Sequence, residues 1–473
     1  MYESITHVLA PILAVAISLI GIRMVSYWWS FAFHWRRYRI RDRVTNSDLR
    51  GMDLPFVKIQ ITTRGSAGST EVILRGVRNV VRLAAEDPQL FGRRLSVELV
   101  TESPEQARAV ERAFAGAPVQ VVGLVLPASY ETPNGTKLKA RGLHYAVECR
   151  RAGWNAKPGR TFIVHFDEES VMLPGELRKL VAVLAGTDKK VLEGPIYYPL
   201  EYMNATAICR AMEANRPVGC FECRHVMERG VPLHLHGSNL VIDEEFENAI
   251  GWDIGALDGK PFIAEDYVFG MLAFLRGGAE VFGWHGCVML EQPPFSFRSA
   301  FKQRHRWIFG VLQGIAMARR TPGFKDLDAS LRRSLVWGTR FRIATFALGS
   351  VVGVLSLAYL PVLIGNGVGA LLQGASSPVH PLVVAWMALV GFLWLGSVFV
   401  GAWYNVADAG LDRLQRWAEI GRAIALAPVA GVLESSAGLW AVVEWTMGRR
   451  DVAWQPTPKT QSADRSVEWK SAA

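Results

Sequence analysis

Apolar positions fall along this chain in different rhythms, and each rhythm predicts a different kind of element. Residues 8–35 carry no ionisable side chain besides Tyr27, Arg23 and His34. About 20 helical residues cross a hydrocarbon layer of roughly 30 Å, so this stretch predicts a membrane helix. A cleaved leader is not expected there, because no basic run precedes the stretch and residues 25–29 offer no small-residue cleavage site. Residues 343–364 and 382–404 are free of charge and predict two further spans. Residues 423–447 are apolar but interrupted by Pro428, Glu434 and Glu444. A full crossing would also carry Arg449, Arg450 and Lys459 outward, so a re-entrant or interfacial helix pair is the expectation for this segment.

Between residues 55 and 199 the rhythm shortens. Strand-like runs at 56–62, 95–101, 119–126 and 161–166 alternate with helical patterns at 72–85, 104–114 and 139–151. In the first helical window apolar residues recur at 73, 74, 77, 80, 81 and 84, which is a helical period. Alternation of this kind predicts an α/β fold, a doubly wound and mostly parallel sheet flanked by helices. Ligands of such sheets bind beyond the carboxyl ends of the strands. There is no P-loop and no G-x-G-x-x-G pattern, and Gly65 with Gly68 after the first strand reads as a flexible turn. The tail after Gln455 is polar and reads as disordered.

Charge then orients the elements. Arg36, Arg37, Arg39, Arg41 and Arg43 follow the first span, and Arg332, Arg333, Arg340 and Arg342 precede the second. Arginine collects on cytoplasmic flanks, so the domain between them is expected to face the cytoplasm. Residues 366–379 hold no Lys or Arg and read as a short external loop, after which Arg413, Arg416 and Arg422 return the chain inside. The expected organisation is a membrane helix with its basic flank (1–50), a cytoplasmic α/β domain (51–292) and an amphipathic interfacial helix region (293–335). A membrane region (336–448) and a polar tail (449–473) follow. The net charge of +9 borders the membrane, where basic residues meet anionic headgroups, and needs no nucleic acid to explain it. Mean hydropathy of +0.16 with charged residues at 20% also points away from a purely soluble protein. Five cysteines in a cytoplasmic domain are expected as free thiols.

Three groups of residues can carry chemistry. Asp167-Glu168-Glu169 follows the strand at 161–166, and although three acidic residues in a row often form a solvated loop, this position faces the ligand crevice. Asp167 and Glu169 can converge there on one hard cation, Mg²⁺ or Mn²⁺, that bridges a diphosphate. Glu265-Asp266 precedes an apolar helix; Asp266 reads either as a helix cap or as a general base aimed at a sugar hydroxyl. Gln303, Arg306 and Trp307 lie in a stretch that also reads as a membrane-surface helix with Phe301, Ile308, Leu312 and Ile315 toward lipid. There Arg306 can pair with departing phosphates while Trp307 stacks on a sugar. A fourth cluster, Cys220, Cys223, His225, His234 and His236, has the elements of a zinc site. Its spacing matches no standard finger, and core thiols with ordinary histidines are expected instead.

In that order, Asp167-x-Glu169, Glu265-Asp266 and Gln303-x-x-Arg306-Trp307 resemble the D-x-D, E-D and Q-x-x-R-W set of the family 2 processive-type glycosyltransferases. The segments starting at Lys137, His165, Ile263 and Pro294 are similar to one branch, the egghead-type β-1,4-mannosyltransferases, over roughly residues 55–315. This resemblance implies a GT-A-type nucleotide-sugar-binding fold between membrane helices and an inverting transfer from GDP-mannose to a glycolipid or oligosaccharide acceptor. It implies metal and diphosphate binding by Asp167 and Glu169, phosphate contact by Lys139, and Asp266 as base beside Glu265. Gln303, Arg306 and Trp307 would hold the diphosphate and the acceptor end. The family's nucleotide-binding Asp after the second strand is replaced by Thr101-Glu102-Ser103, which makes Glu102 the substitute and leaves a UDP-sugar open as donor. Two alternatives stand beside this reading. One is a processive polysaccharide synthase, for which three firm spans are few; the other is a transporter or scaffold with an inactive domain, disfavoured by spans poor in ionisable residues.

Overall fold

The structure is a computed structural model, and it describes residues 2–39, 44–66, 68–228, 235–373, 380–452 and 457–458. Arg41, Arg43, His234, Lys459, residues 374–379 of the expected external loop and nearly all of the polar tail lie outside the described residues. Helix α1 is Tyr2–Arg39. The elements β1 Phe56–Thr63, α2 Ser69–Glu86, β2 Leu95–Thr101, α3 Pro104–Ala113 and β3 Gln120–Val125 follow. Next come α4 Lys139–Arg151, β4 Thr161–Phe166, α5 Pro174–Gly186, β5 Val191–Glu193 and α6 Arg216–Glu228. The α/β part continues with β6 Leu240–Asp243, α7 Glu265–Gly277 and β7 Phe282–Trp284, and then α8 Phe297–Ala318. Three long helices run beyond it, α9 Ala329–Gln373, α10 Pro381–Ala407 and α11 Arg413–Thr446.

The seven strands form one sheet in the order β7-β5-β6-β4-β1-β2-β3. Only β6 runs antiparallel to its neighbours β4 and β5, so the mostly parallel α/β sheet expected from the sequence is present. Helices cover both faces, which is why β2 and β4 are buried along their whole lengths and read as continuous runs rather than alternating ones. Ile59, Val97, Leu99, Phe162 and Val164 sit in one core with Ile73 and Val77 of α2 and Leu177 of α5. α2 begins at Ser69 because Gly68, at φ 85°, turns the chain into it through a backbone region open to glycine.

Among the described residues, four helical segments are long and apolar enough to cross a membrane: Pro11–Phe33, Ala329–Ala358, Leu382–Ala407 and Arg413–Thr446. The last corrects the expectation of a helix pair at 423–447, since α11 is one helix running through Pro428. Its start is fixed by a capping box between Asp412 and Gln415. The two carboxylates that suggested a break are satisfied sideways. Glu434 stands 3.5 Å from Arg304 Nε, and Glu444 meets His305 Nε2 at 2.8 Å, both on α8. Pro428 removes one backbone donor, and the packing of α11 against α8, α9 and α10 holds the helix through that gap. α8 itself is gripped by α7 and α11 rather than laid on a surface. Phe301, Ile308, Leu312 and Ile315 are all half-buried, and Ile308 and Ile315 pack against buried residues of the protein.

Candidate active site

Parallel register brings the carboxyl ends of β1, β2 and β4 to one edge of the sheet, where they open on a cavity of about 850 Å³. Glu102, straight after β2, lines it and pairs with Arg141 Nη2 of α4 at 2.9 Å. Asp167, Glu168 and Glu169, straight after β4, line it as well. Their turn is pinned from below: the Asp167 backbone N–H donates to Ser170 Oγ at 3.0 Å, and the Ser170 hydroxyl donates to Glu291 Oε1 at 3.1 Å. Glu168 accepts from the Thr63 hydroxyl at the end of β1. Asp167 keeps 36% of its side chain exposed to the cavity, so a ligand can reach it, whereas Glu169 is buried in the wall.

Lys139 is the first residue of α4 and follows Leu138, which holds a left-handed φ of 61°. That turn aims the ammonium at the strand ends. Its Nζ donates to Asp167 Oδ1 at 2.5 Å and to the Gly237 carbonyl at 2.9 Å, and it stands 4.0 Å from Glu265 Oε1. Burial alone would lower the Lys139 pKa; the Asp167 carboxylate and then Glu265 outweigh it and hold the ammonium above its ordinary value.

Glu265 and Asp266 open α7, whose N-cap is Ala264 with no side-chain cap, so Asp266 sits inside the first turn rather than at the cap position. Asp266 Oδ1 accepts from the Tyr267 backbone N–H at 2.8 Å. A Cβ at Gly237 would come within 3.3 Å of Asp266 Oδ2 and 3.5 Å of Lys139 Nζ, which places those two groups over the same glycine. Burial, then the neighbouring Glu265 charge, pushes the Asp266 carboxyl above the usual range. Burial also raises Glu265, against the pull of Lys139. A base raised in this way binds a proton more strongly once ionised.

α8 supplies the opposite wall. Gln303, Arg306 and Trp307 all line the cavity, and so do Arg304 and Lys302. Burial pulls the Arg306 guanidinium below its usual value while the Glu265 and Asp167 charges counter it, so this cation faces the acidic pair. Gln303 Oε1 accepts from Arg304 Nη1 at 2.9 Å. Trp307 carries Arg216 over its ring at 4.3 Å and Arg304 at 5.4 Å, so a sugar stacking on the indole would share it with guanidinium groups. Every residue singled out from the sequence for donor, base or metal binding therefore lines one cavity.

Sequence reasoning missed several neighbours. Glu193 ends β5 and is fully buried; one carboxylate oxygen accepts from the His236 backbone N–H, and the other makes no hydrogen bond. Burial pushes the Glu193 carboxyl up to about 8, His236 N–H works against this, and the Asp266 charge adds to it. A lone Glu closing an apolar run was the available signal. His236 lines the cavity beside Gly237; burial, then Arg216 and Arg342, hold its imidazole down at about 3, so it is neutral. Of the thiol cluster, Cys220 and Cys223 are buried on α6, and none of the five cysteines forms a disulfide. Among the described residues, no three His, Cys, Asp or Glu side chains are gathered closely enough to hold an ion alone. An ion at Asp167 and Glu169 would draw its remaining oxygens from a diphosphate and water, which is the usual way Mg²⁺ is held beside phosphates.

A model of the glycosyl transferase family group 2 matches residues 162–402. The β-1,4-mannosyltransferase egh of Drosophila melanogaster is 25% identical over 270 residues, covering 56% of this chain and 54% of its own length. The β-1,4-mannosyltransferase bre-3 of Caenorhabditis briggsae is 27% identical over 191 residues, covering 40% of each. The chain thus spans about half the length of these relatives or less. Among solved structures, the mannosyltransferase PcManGT from Pyrobaculum calidifontis, in complex with GDP-Man and Mn2+, is 15% identical with a TM-score of 0.39. That match covers 83% of this chain and 99% of the other.

Proposed function

The chain belongs to glycosyl transferase family group 2, and from that premise we propose that it transfers mannose from GDP-mannose to a saccharide acceptor linked to a membrane lipid. The observation that carries this reading is the convergence of Asp167, Asp266, Lys139 and Arg306 on one cavity between the sheet edge and the long helices. The similarity to two β-1,4-mannosyltransferases favours mannose among hexoses. The arginine-rich flanks of the spans favour a cytoplasmic cavity, where nucleotide sugars are supplied.

Asp266, ionised, takes the proton from the attacking acceptor hydroxyl. As that oxygen bonds to the sugar's anomeric carbon from the face opposite the diphosphate, the bond from that carbon to the phosphate oxygen breaks, which inverts the centre to a β linkage. Lys139 and Arg306 oppose the charge that gathers on the departing diphosphate. Asp167 and Glu169, hard oxygen donors at the cavity wall, would hold Mg²⁺ or Mn²⁺, and a bound ion would supply further neutralisation of that charge. Glu102 at the end of β2 would meet the nucleoside, and Gln303 with Trp307 the acceptor end.

Asp266→Asn separates binding from chemistry. Transfer is expected to fall about 10²- to 10⁴-fold, the range for a lost general base, while GDP-mannose affinity by equilibrium dialysis stays within a few-fold of wild type. Wild-type turnover by this variant removes Asp266 from the role of base.

A further inference from the structure

Behind the side chains that line the cavity lies a buried carboxyl that the chemistry above does not use. Glu193 closes β5 fully buried; one of its oxygens accepts from the His236 backbone N–H, and the other makes no hydrogen bond. Burying a carboxyl to meet a single backbone donor is unfavourable, because the second oxygen loses its water without replacement. The segment held by this contact, residues 236–239, accounts for it. Each of its residues reaches a different part of the fold. Glu193 ties His236 to β5, the Gly237 carbonyl accepts from Lys139 Nζ at 2.9 Å, and the Ser238 hydroxyl donates to Glu291. Asn239 donates from its side chain to the Pro195 and Cys287 carbonyls at 2.9 and 3.0 Å, and from its backbone to the His165 carbonyl at 3.0 Å. Three hydrogen bonds thus pin the Asn239 end of this strap, and at the His236 end the pin is the Glu193 carboxyl.

Between the two pins the strap presses against the reacting groups. A Cβ at Gly237 would stand 3.3 Å from Asp266 Oδ2 and 3.5 Å from Lys139 Nζ, so only a bare backbone passes there without crowding them. The Lys139 ammonium has three N–H bonds. Asp167 Oδ1 takes one at 2.5 Å and the Gly237 carbonyl a second, while Glu265 at 4.0 Å is beyond hydrogen-bond reach, so among the described residues the third is left for a ligand in the cavity. Two fixed acceptors give that third bond one direction, whereas Asp167 alone would let the ammonium swing about a single contact. The place of the Gly237 carbonyl therefore decides where Lys139 aims. Burial favours the protonated form of Glu193, against the His236 N–H and with the Asp266 charge, so this pin sits near the base without adding a full negative charge beside it.

We propose that Glu193 is a positioning residue of the transfer reaction: through the His236 N–H it fixes the strap so that the Gly237 carbonyl aims Lys139 at the donor diphosphate. This rests on the reading of Lys139 as a phosphate contact of a glycosyltransferase, and it adds the buried group that sets its direction.

The test uses the full chain in phosphatidylcholine nanodiscs and reads Lys139 in two ways. Acetylation of Lys139 by acetic anhydride, followed by mass spectrometry, needs no donor; GDP-mannose affinity by equilibrium dialysis does. In Glu193→Leu, acetylation is expected to quicken about tenfold and GDP-mannose affinity to fall about tenfold, the worth of a hydrogen bond to a charged group. Glu193→Gln keeps an oxygen acceptor for the His236 N–H and is expected to restore most of both. In a Lys139→Met background Glu193→Leu is expected to cause no further loss of affinity, since residues acting through one another are not additive. A role confined to folding would lower the thermal midpoint of Glu193→Leu and leave both readouts of the folded protein at wild-type values, which overturns the proposal. An undiminished loss in the Lys139→Met background overturns it as well. If Glu193→Leu does not fold, Glu193→Asp, which keeps the carboxyl but draws it back from His236, takes its place with the same expected and overturning results. Acetylation that responds as expected in a wild-type chain that binds no nucleotide sugar would uphold the aiming of Lys139 and strike the glycosyltransferase reading instead.

Discussion

The two walls of the cavity are held in place by different physics. On the strand side, Glu102 and Asp167 are positioned by backbone register, because parallel pairing of β1 with β2 and β4 sets where each strand ends, and a continuous apolar core lies behind them. On the helix side, Arg304, Arg306 and Trp307 are positioned by α8, which is clamped to distant elements by the buried ion pairs of Arg304 and a hydrogen bond of His305. Arg304 reaches Glu213, His305 reaches Glu444, and near them Arg210 reaches Glu419 at 2.9 Å. Register is local and tolerant of substitution at the surface; an ion pair in a dry interior fails when either partner is removed. The strand side should therefore respond to mutation in function, and the helix side in stability.

Glu213→Gln presses hardest on that contrast. It removes the nearer of the two carboxylates beside the buried Arg304 guanidinium and leaves only Glu434, at 3.5 Å; a loss in folding stability of up to about 3–5 kcal/mol is expected, read as a lower thermal midpoint, with donor affinity retained in the folded fraction. An unchanged midpoint would erase the distinction between the walls. Asp167→Asn is the converse on the strand side. Donor affinity in the presence of Mn²⁺ is expected to fall by at least the ~10–100-fold that loss of an outer-shell metal partner costs, with the midpoint little changed.

The pH profile gives a smaller and graded effect. Because burial and Glu265 raise the Asp266 pKa, the ionised base is lost at a higher pH than an ordinary carboxylate would allow. Turnover at saturating substrate should fall as pH drops through that raised value, by about tenfold per unit once well below it. A profile flat down to pH 4 contradicts the assignment. Smallest is the effect of Glu193→Gln. The folded pKa of Glu193, about 8, lies above the ordinary carboxylate value, so the fold retains a proton that the unfolded chain releases. Its stabilising contribution is complete at low pH and declines as pH rises toward 8. Gln retains an acceptor for His236 N–H without titrating, so the variant's thermal midpoint relative to wild type should rise between pH 5 and pH 8.

The same contrast explains what was legible in the sequence. β2, β4 and α4 fall at the expected residues, and Asp167 and Lys139 stand where strand-end logic puts them, because apolar periodicity and strand ends are local properties. Glu265 and Asp266 join them through the ordered motif set. α11 was misread because Pro428 and two carboxylates look disruptive within their own segment, and their partners lie on α8, more than a hundred residues earlier. Arg216 and Arg342 enter the site through long-range packing that leaves no trace in their immediate neighbours.

The most direct measurement is nucleotide release by the purified, membrane-embedded full chain, offered a panel of nucleotide sugars with Mg²⁺, Mn²⁺ or a chelator, in the presence of lipid-linked saccharide. If the acidic and basic walls act together as described, GDP appears from GDP-mannose in step with a mannosylated lipid, and the chelator suppresses both. Release of no nucleotide from any sugar donor, or release indifferent to the chelator, would contradict the account.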